Sequence, residues 1–252
     1  MKKLVAFDLD GTLAESKQPI GDEMATLLGR LSRVAKVSVI SGGDWPQFET
    51  QVVGRLPKDA TLENFFIMPT TGTKLYRYRD GAWKPVFAEI FSEEEKTHIL
   101  QALDKAVKAA GLHDDKIWGE QIEDRGSQFT FSGLGQEAPL DAKKAWDPDR
   151  SKRETMQKAA QKELPDLSVN IGGSTSIDIT RKGVDKAYGI AKLVDASGIA
   201  KTEMIFMGDA CYPGGNDFPV PAKAKVNTIA VATIAETKRA IEAIVLCLGS
   251  ER

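Results

Sequence analysis

Asp8 and Asp10 stand one residue apart directly behind the apolar run Leu4-Val5-Ala6-Phe7, and Gly11-Thr12 follow them. The apolar run reads as a buried strand. Strand side chains alternate in direction, so the two aspartates share one side. They sit at the carboxyl end, where open α/β sheets bind ligands. Two carboxylates cannot both hide in a core, because burying uncompensated charge is costly. The pair therefore implies a cation, a proton, or both. A turn with two solvated aspartates is the bland alternative. The chemical reading is a metal-assisted phosphoryl-transfer site with Asp8 as nucleophile.

Other strand-like runs also end in polar or glycine-rich turns. Residues 37–40 precede Ser41-Gly42-Gly43, Phe65–Met68 precedes Pro69-Thr70-Thr71-Gly72, and 204–207 precede Gly208-Asp209. The last turn runs on to Pro213-Gly214-Gly215-Asn216-Asp217 and is rich in glycines that allow close backbone approach. Between these turns lies Lys186, in Lys182-Gly183-Val184-Asp185-Lys186. This order of motifs resembles the haloacid dehalogenase phosphotransferase superfamily. The resemblance implies an aspartyl-phosphate on Asp8, with Asp10 as general acid and then base. It implies Mg²⁺ held by Asp8, the Asp10 backbone carbonyl and Asp209, a hard cation suited to oxygen ligands. It implies Ser41 on the phosphoryl group and Lys186 balancing its charge. Asp217 would support the metal through water or orient Lys186. Read alone, Ser41 is more readily a helix cap, and Lys182 rivals Lys186.

Pro213-Gly214-Gly215-Asn216-Asp217 after Gly208-Asp209 is similar to the eukaryotic-type phosphomannomutase branch. So is Gly172-Gly173-Ser174-Thr175-Ser176-Ile177-Asp178 followed by Gly183-Val184-Asp185-Lys186. Arg125 falls where that family places a substrate arginine. The resemblance implies that Ser176 and Asp178 contact a sugar phosphate. It also aligns Lys17, Gln136 and Lys143 with family arginines for the phosphate that is not reacting. Arg grips phosphate with a planar fork, Lys acts as a point charge, and Gln offers none. That departure favours a sugar-phosphate phosphatase; the Pro-Gly-Gly-Asn-Asp turn favours hexose 1-phosphate/6-phosphate interconversion, which is the preferred expectation. A non-catalytic phospho-acceptor is the remote reading, and the retained Asp10 argues against it.

Composition bounds these readings. The chain has 252 residues and a net charge of −2. It carries no basic stripe, so nucleic acid is not an expected partner. No apolar run approaches a membrane span. Asp8 and Asp10 interrupt the first apolar run, so it is not read as a signal peptide. Cys211 and Cys247 are too few for a disulfide framework. The expected setting is the cytoplasm, the expected partner a small sugar phosphate, and the candidate assembly a homodimer.

The elements that must position these residues follow from periodicity. Met24, Leu27, Leu28, Leu31 and Val34 have helical spacing. Ser92 and Glu95 form a capping box for a helix turning Ile99, Leu100, Leu103 and Val107 inward and ending at Gly111. Asp147-Pro148 reads as a cap followed by a first-turn proline, with the helix ending near Pro165. A helix from Asp185 closes at Gly198, and Thr233 with Glu236 opens the last one, burying Ile241, Ile244, Val245 and Leu248. Residues 127–132 and 175–180 alternate between polar and apolar, which marks an antiparallel sheet with one open face. Lys74–Arg79 and 83–87, joined by Asp80-Gly81, read as a hairpin flap. The expected fold is α/β: a Rossmann-like parallel-sheet core over 1–88 and 184–252, with an inserted α+β cap over 89–183.

Overall fold

A computed structural model describes residues 1–112 and 116–249. The chain begins β1 (Leu4–Phe7), α1 (Asp22–Ser32), β2 (Lys36–Ile40), α2 (Trp45–Gln51), β3 (Phe65–Met68), β4 (Lys74–Arg79) and β5 (Ala82–Ala88). It continues through α3 (Glu93–Ala110), β6 (Ile122–Asp124), β7 (Phe129–Ser132), α4 (Leu140–Trp146), α5 (Ser151–Glu163), β8 (Leu167–Ile171) and β9 (Ser176–Arg181). It closes with α6 (Lys186–Ser197), β10 (Met204–Gly208), β11 (Asn227–Ala230) and α7 (Ile234–Gly249). Two compact units result, Met1–Ala88 with the chain from Asp185 onward, and Glu89–Val184. No described helix is long and apolar enough to cross a membrane.

The first unit is built on a seven-stranded sheet in the order β11-β10-β1-β2-β3-β4-β5. β11 through β3 run parallel, and the β4–β5 hairpin is antiparallel. β1 shows why its residues are all apolar. Val5 and Phe7 enter one hydrophobic cluster, with Leu28 and Leu31 of α1 and Ile241 of α7. Leu4 and Ala6 enter the opposite one, with Ile190 and Leu193 of α6. A strand covered on both faces must be apolar at every position. The β4–β5 hairpin is part of this sheet rather than a flap. Its Asp80-Gly81 turn has φ of 52° and 77°, the positive values that a tight hairpin turn requires.

The second unit is a four-stranded antiparallel sheet, β6-β7-β9-β8. Phe129, Phe131, Ile177 and Ile179 pack on Ile99 and Leu103 of α3 and Met156 and Ala160 of α5. Its other face differs from the open surface that alternation suggested. Gln128, Thr130, Ser132 and Thr180 are all buried. Ser132 Oγ donates to the Gly135 carbonyl, closing a turn after β7, and the Gly133 N–H donates to the Thr175 carbonyl, extending the pairing with β9.

Leu100 is 43% exposed and points outward from α3. The α5 helix begins at Ser151 rather than at Pro148. Asp147 nevertheless caps it, accepting from the N–H groups of Lys152 and Arg153. Arg150, at φ 66°, is the left-handed residue that brings the cap round from a distance.

Candidate active site

Asp8 follows β1 directly, and its N–H donates to the Met207 carbonyl of β10. Leu9 joins the α1 and α7 cluster. Alternation then turns Asp8 to the other side, where α6 packs. Lys186 is the first residue of α6, whose Asp185 cap accepts from the Tyr188 N–H. Its ammonium lies 2.6 Å from Asp8 Oδ1 and also pairs with Asp217. The side chains of Lys186, Asp8 and Asp217 are 2%, 5% and 0% exposed. The remaining Asp217 oxygen accepts from the Ala210 N–H at 3.0 Å. One Asp217 oxygen thus meets Lys186 and the other a backbone N–H.

Asp209 extends from the end of β10. Asp8, Asp209 and Asp217 each bring a carboxylate oxygen within 4.8 Å of the others. Gly11 makes room for this, since at its φ of +83° a Cβ would lie 2.6 Å from Asp209 Oδ2. Three carboxylates against one ammonium leave two negative charges, which a divalent cation balances. The donors are all hard oxygens, so the residues present fit Mg²⁺. Asp8, Asp209 and Asp217 are the residues that could hold it.

The electrostatics follow from this crowding. Burial pushes the Asp8 carboxyl up to about 7; Lys186 pulls it down and Asp217 pushes it up again. Burial lowers Lys186, but Asp8 and Asp217 outweigh that and hold it firmly protonated. Asp209 is raised by burial and then by Asp217. Burial with Asp217 pushes the Cys211 thiol up to about 11, so it is a poor nucleophile here.

Asp10 stands apart from the acidic trio. Its Oδ1 accepts from the Lys17 N–H at 2.8 Å. Lys17 thus meets this site through its backbone, at φ 59°. Ser41 follows β2 directly and is buried; its N–H donates to the Met68 carbonyl and its own carbonyl accepts from the Thr71 N–H.

Arg125, Lys143, Ser176 and Asp178 all belong to the second unit. The Arg125 Nη2 lies 2.6 Å from Glu123 Oε2. Asp178 pairs with Thr130 across β7 and β9, and Thr130 Oγ1 donates to it at 2.7 Å. Ser176 sits opposite Ser132. Lys143 Nζ donates to the Gln136 carbonyl at 3.0 Å. Glu123 was not singled out from the sequence; Gln128 and Thr130 were read only as the polar face of an alternating strand. The alternation that put Thr130 on the Asp178 side was the signal available for it.

The sequence model for the family described as eukaryotic phosphomannomutase matches residues 24–247. A phosphomannomutase of Encephalitozoon cuniculi is 28% identical over 254 residues, covering 98% of this chain and 95% of that protein. Human phosphomannomutase 1 is 28% identical over 225 residues, 86% of this chain and 82% of its own length. Among solved structures, a haloacid dehalogenase-like hydrolase from Bacteroides thetaiotaomicron superposes with a TM-score of 0.61 at 16% identity, covering 97% of this chain and 100% of that one. A trehalose-6-phosphate phosphatase from Aspergillus fumigatus gives 0.59 at 16% identity, covering 97% and 93%. These two structures share the fold.

Proposed function

Since this chain belongs to the eukaryotic phosphomannomutase family and is an enzyme of the haloacid dehalogenase type, we propose that it transfers the phosphoryl group of a sugar phosphate through Asp8. The observation that carries this reading is the buried Lys186 ammonium bridging Asp8 and Asp217 beside Asp209. A carboxylate oxygen of Asp8 attacks phosphorus, and the bond from phosphorus to the sugar oxygen breaks. Asp10 donates a proton to that leaving oxygen. Lys186, kept protonated by its two carboxylates, offsets the charge on the phosphoryl oxygens. Ser41 hydrogen-bonds the same group. Mg²⁺ on Asp8 and Asp209 would supply charge neutralisation to the phosphoryl oxygens. In the cap, Arg125, Ser176, Asp178 and Lys143 are the residues proposed to read the sugar.

The second half-reaction has two outcomes. Return of the phosphoryl group to another sugar oxygen is isomerisation, the activity that the relatives' name denotes for them. Transfer to water is hydrolysis, favoured by Gln136 and Lys143 standing where the family resemblance sets arginines for a second phosphate. Asp8→Asn is expected to reduce Mg²⁺-dependent turnover of p-nitrophenyl phosphate and hexose phosphates to background, with an unchanged circular dichroism spectrum. Substantial residual turnover would remove Asp8 from the nucleophile's role. Assaying free phosphate and isomerised sugar in parallel tells the two outcomes apart.

A further inference from the structure

The Pro69-Thr70-Thr71-Gly72 turn after β3 grips the loop that carries Ser41. The Ser41 N–H donates to the Met68 carbonyl, the Thr71 N–H to the Ser41 carbonyl, and the Thr70 N–H to the Gly43 carbonyl. Thr70 and Thr71 have φ of 49° and 60°, a costly conformation for a β-branched residue. Just past this turn, Lys74 opens β4. Its ammonium lies 2.7 and 2.9 Å from the two oxygens of Asp44, on the same loop as Ser41. The Lys74 and Asp44 side chains are 9% and 21% exposed. Charge buried this far needs its partner. Asp44 also caps α2, accepting from the Trp45 N–H at 2.8 Å. Capping asks only for a short polar side chain, and Asn serves as well as Asp. The charge on Asp44 therefore answers Lys74 rather than the helix. β2 lies parallel beside β1, so Ser41 leaves the sheet at the same end as Asp8.

Resting on the phosphoryl transfer proposed above, we propose that Lys74, through Asp44, positions Ser41 for the phosphoryl group. Backbone hydrogen bonds hold the peptides of Ser41 and Gly43, and the ion pair holds the end of the loop where α2 begins. With both ends fixed, the Ser41 hydroxyl keeps one place, and its hydrogen bond loses little to ordering. Lys74 acts through Asp44 and the loop, so it is a positioning residue. The strain at Thr70 and Thr71 has the same logic, since it persists only where the surrounding contacts over-determine it.

The test is a double-variant cycle on the full chain with Mg²⁺. It reads kcat/KM for p-nitrophenyl phosphate and calorimetric binding of inorganic phosphate. Ser41→Ala is expected to weaken both by about 10- to 100-fold, the scale of one hydrogen bond to a charged group. The paired substitution Lys74→Met with Asp44→Asn keeps the helix cap and leaves no buried charge. It should weaken both by about tenfold or more, with Mg²⁺ affinity unchanged. Added to Ser41→Ala, it should cost less than about twofold further, because the residues act as one unit. If the paired variant does not fold, Asp44→Asn alone carries the same cycle. Losses that multiply across the cycle overturn the assignment. So does a folded paired variant with wild-type turnover and phosphate binding, or one whose Mg²⁺ affinity falls in step with the rest. Ser41→Ala with unchanged turnover and binding overturns it too, while the role of Asp8 stands or falls on Asp8→Asn. Phosphate binding that follows the expected pattern in a protein with no turnover sinks the proposed reaction and leaves the positioning role standing.

Discussion

Lys186 shows how one side chain sets the chemistry of its neighbours. A lysine buried alone would shed its proton, yet two carboxylates hold this one charged. Asp217 is the fully buried partner, so losing its charge leaves the buried ammonium with Asp8 alone. Asp217→Asn is expected to cost about 3–5 kcal/mol, the usual penalty for breaking a buried ion pair, read from urea unfolding. A cost under about 1 kcal/mol would mean that the pair is solvated in practice. Asp10 belongs to a different balance. Its carboxylate meets the Lys17 backbone and lies outside the acidic trio. Asp10→Asn should therefore keep Mg²⁺ affinity while turnover falls about 10²–10⁴-fold, the scale of general acid–base catalysis. Collapse of metal affinity with an unchanged rate per bound metal would assign Asp10 to the metal instead.

Among the elements, α5 depends most on one contact. Asp147 accepts from two backbone N–H groups at the start of the helix and from the Arg153 guanidinium at 2.7 Å. Burial raises this carboxyl, but the Arg153 and backbone hydrogen bonds outweigh it and hold it below the usual carboxylate range. The sign follows from that direction. A folded-state value below the unfolded one adds stability above the unfolded pKa, near 3.9. That stability is lost as pH falls through the lower, folded value. Stability of the second unit should be insensitive to Asp147 titration above about pH 5 and decline below about pH 4. Asp147→Asn should be less stable than wild type at pH 7, with the gap narrowing on acidification in paired urea melts. A gap that widens towards low pH would reverse the assignment. The start of α5 also shows what local signals miss. Asp147-Pro148 has the composition of a cap and first turn, yet the helix begins at Ser151, because the left-handed Arg150 lets Asp147 reach back to it.

At the scale of the molecule, the hydrophobic clusters divide cleanly. Those that sandwich the seven-stranded sheet draw on residues up to Phe87 and from Ala187 onward, and the cluster of the second unit on residues between Phe91 and Ile179. Each unit closes its own core. Joining Ala88 to Asp185 through a short Gly/Ser linker is therefore expected to leave a folded protein. It should hydrolyse p-nitrophenyl phosphate with Mg²⁺ and lose discrimination among sugar phosphates. Aggregation of that variant under conditions where wild type melts reversibly would show that the units fold only together.

The sequence by itself determined the parts that repeat locally. An all-apolar β1 announces a strand covered on both faces, and Asp8-Leu9-Asp10-Gly11 announces the turn that ends it. The Ser92 and Glu95 capping box and the Gly111 stop bound α3 as the structure has them. Such signals need only neighbours a few residues away. Other pieces were not legible: α2, α4, β6 and β11 carry neither an apolar run nor a clear period, whereas the alternation of Leu167, Val169 and Ile171 was a signal available for β8. Pairings across the chain were decided only by tertiary structure. That Asp217 meets Lys186 depended on how the Gly208–Asp217 turn placed it against α6, 31 positions away in sequence. Whether Arg125 would meet an acid depended on the turn that sets it beside Glu123, and how far the polar sheet face was open depended on packing beyond the strands themselves. Periodicity records which side of an element is apolar. It does not record which charge will meet which, because that follows from register between strands and from the path of loops.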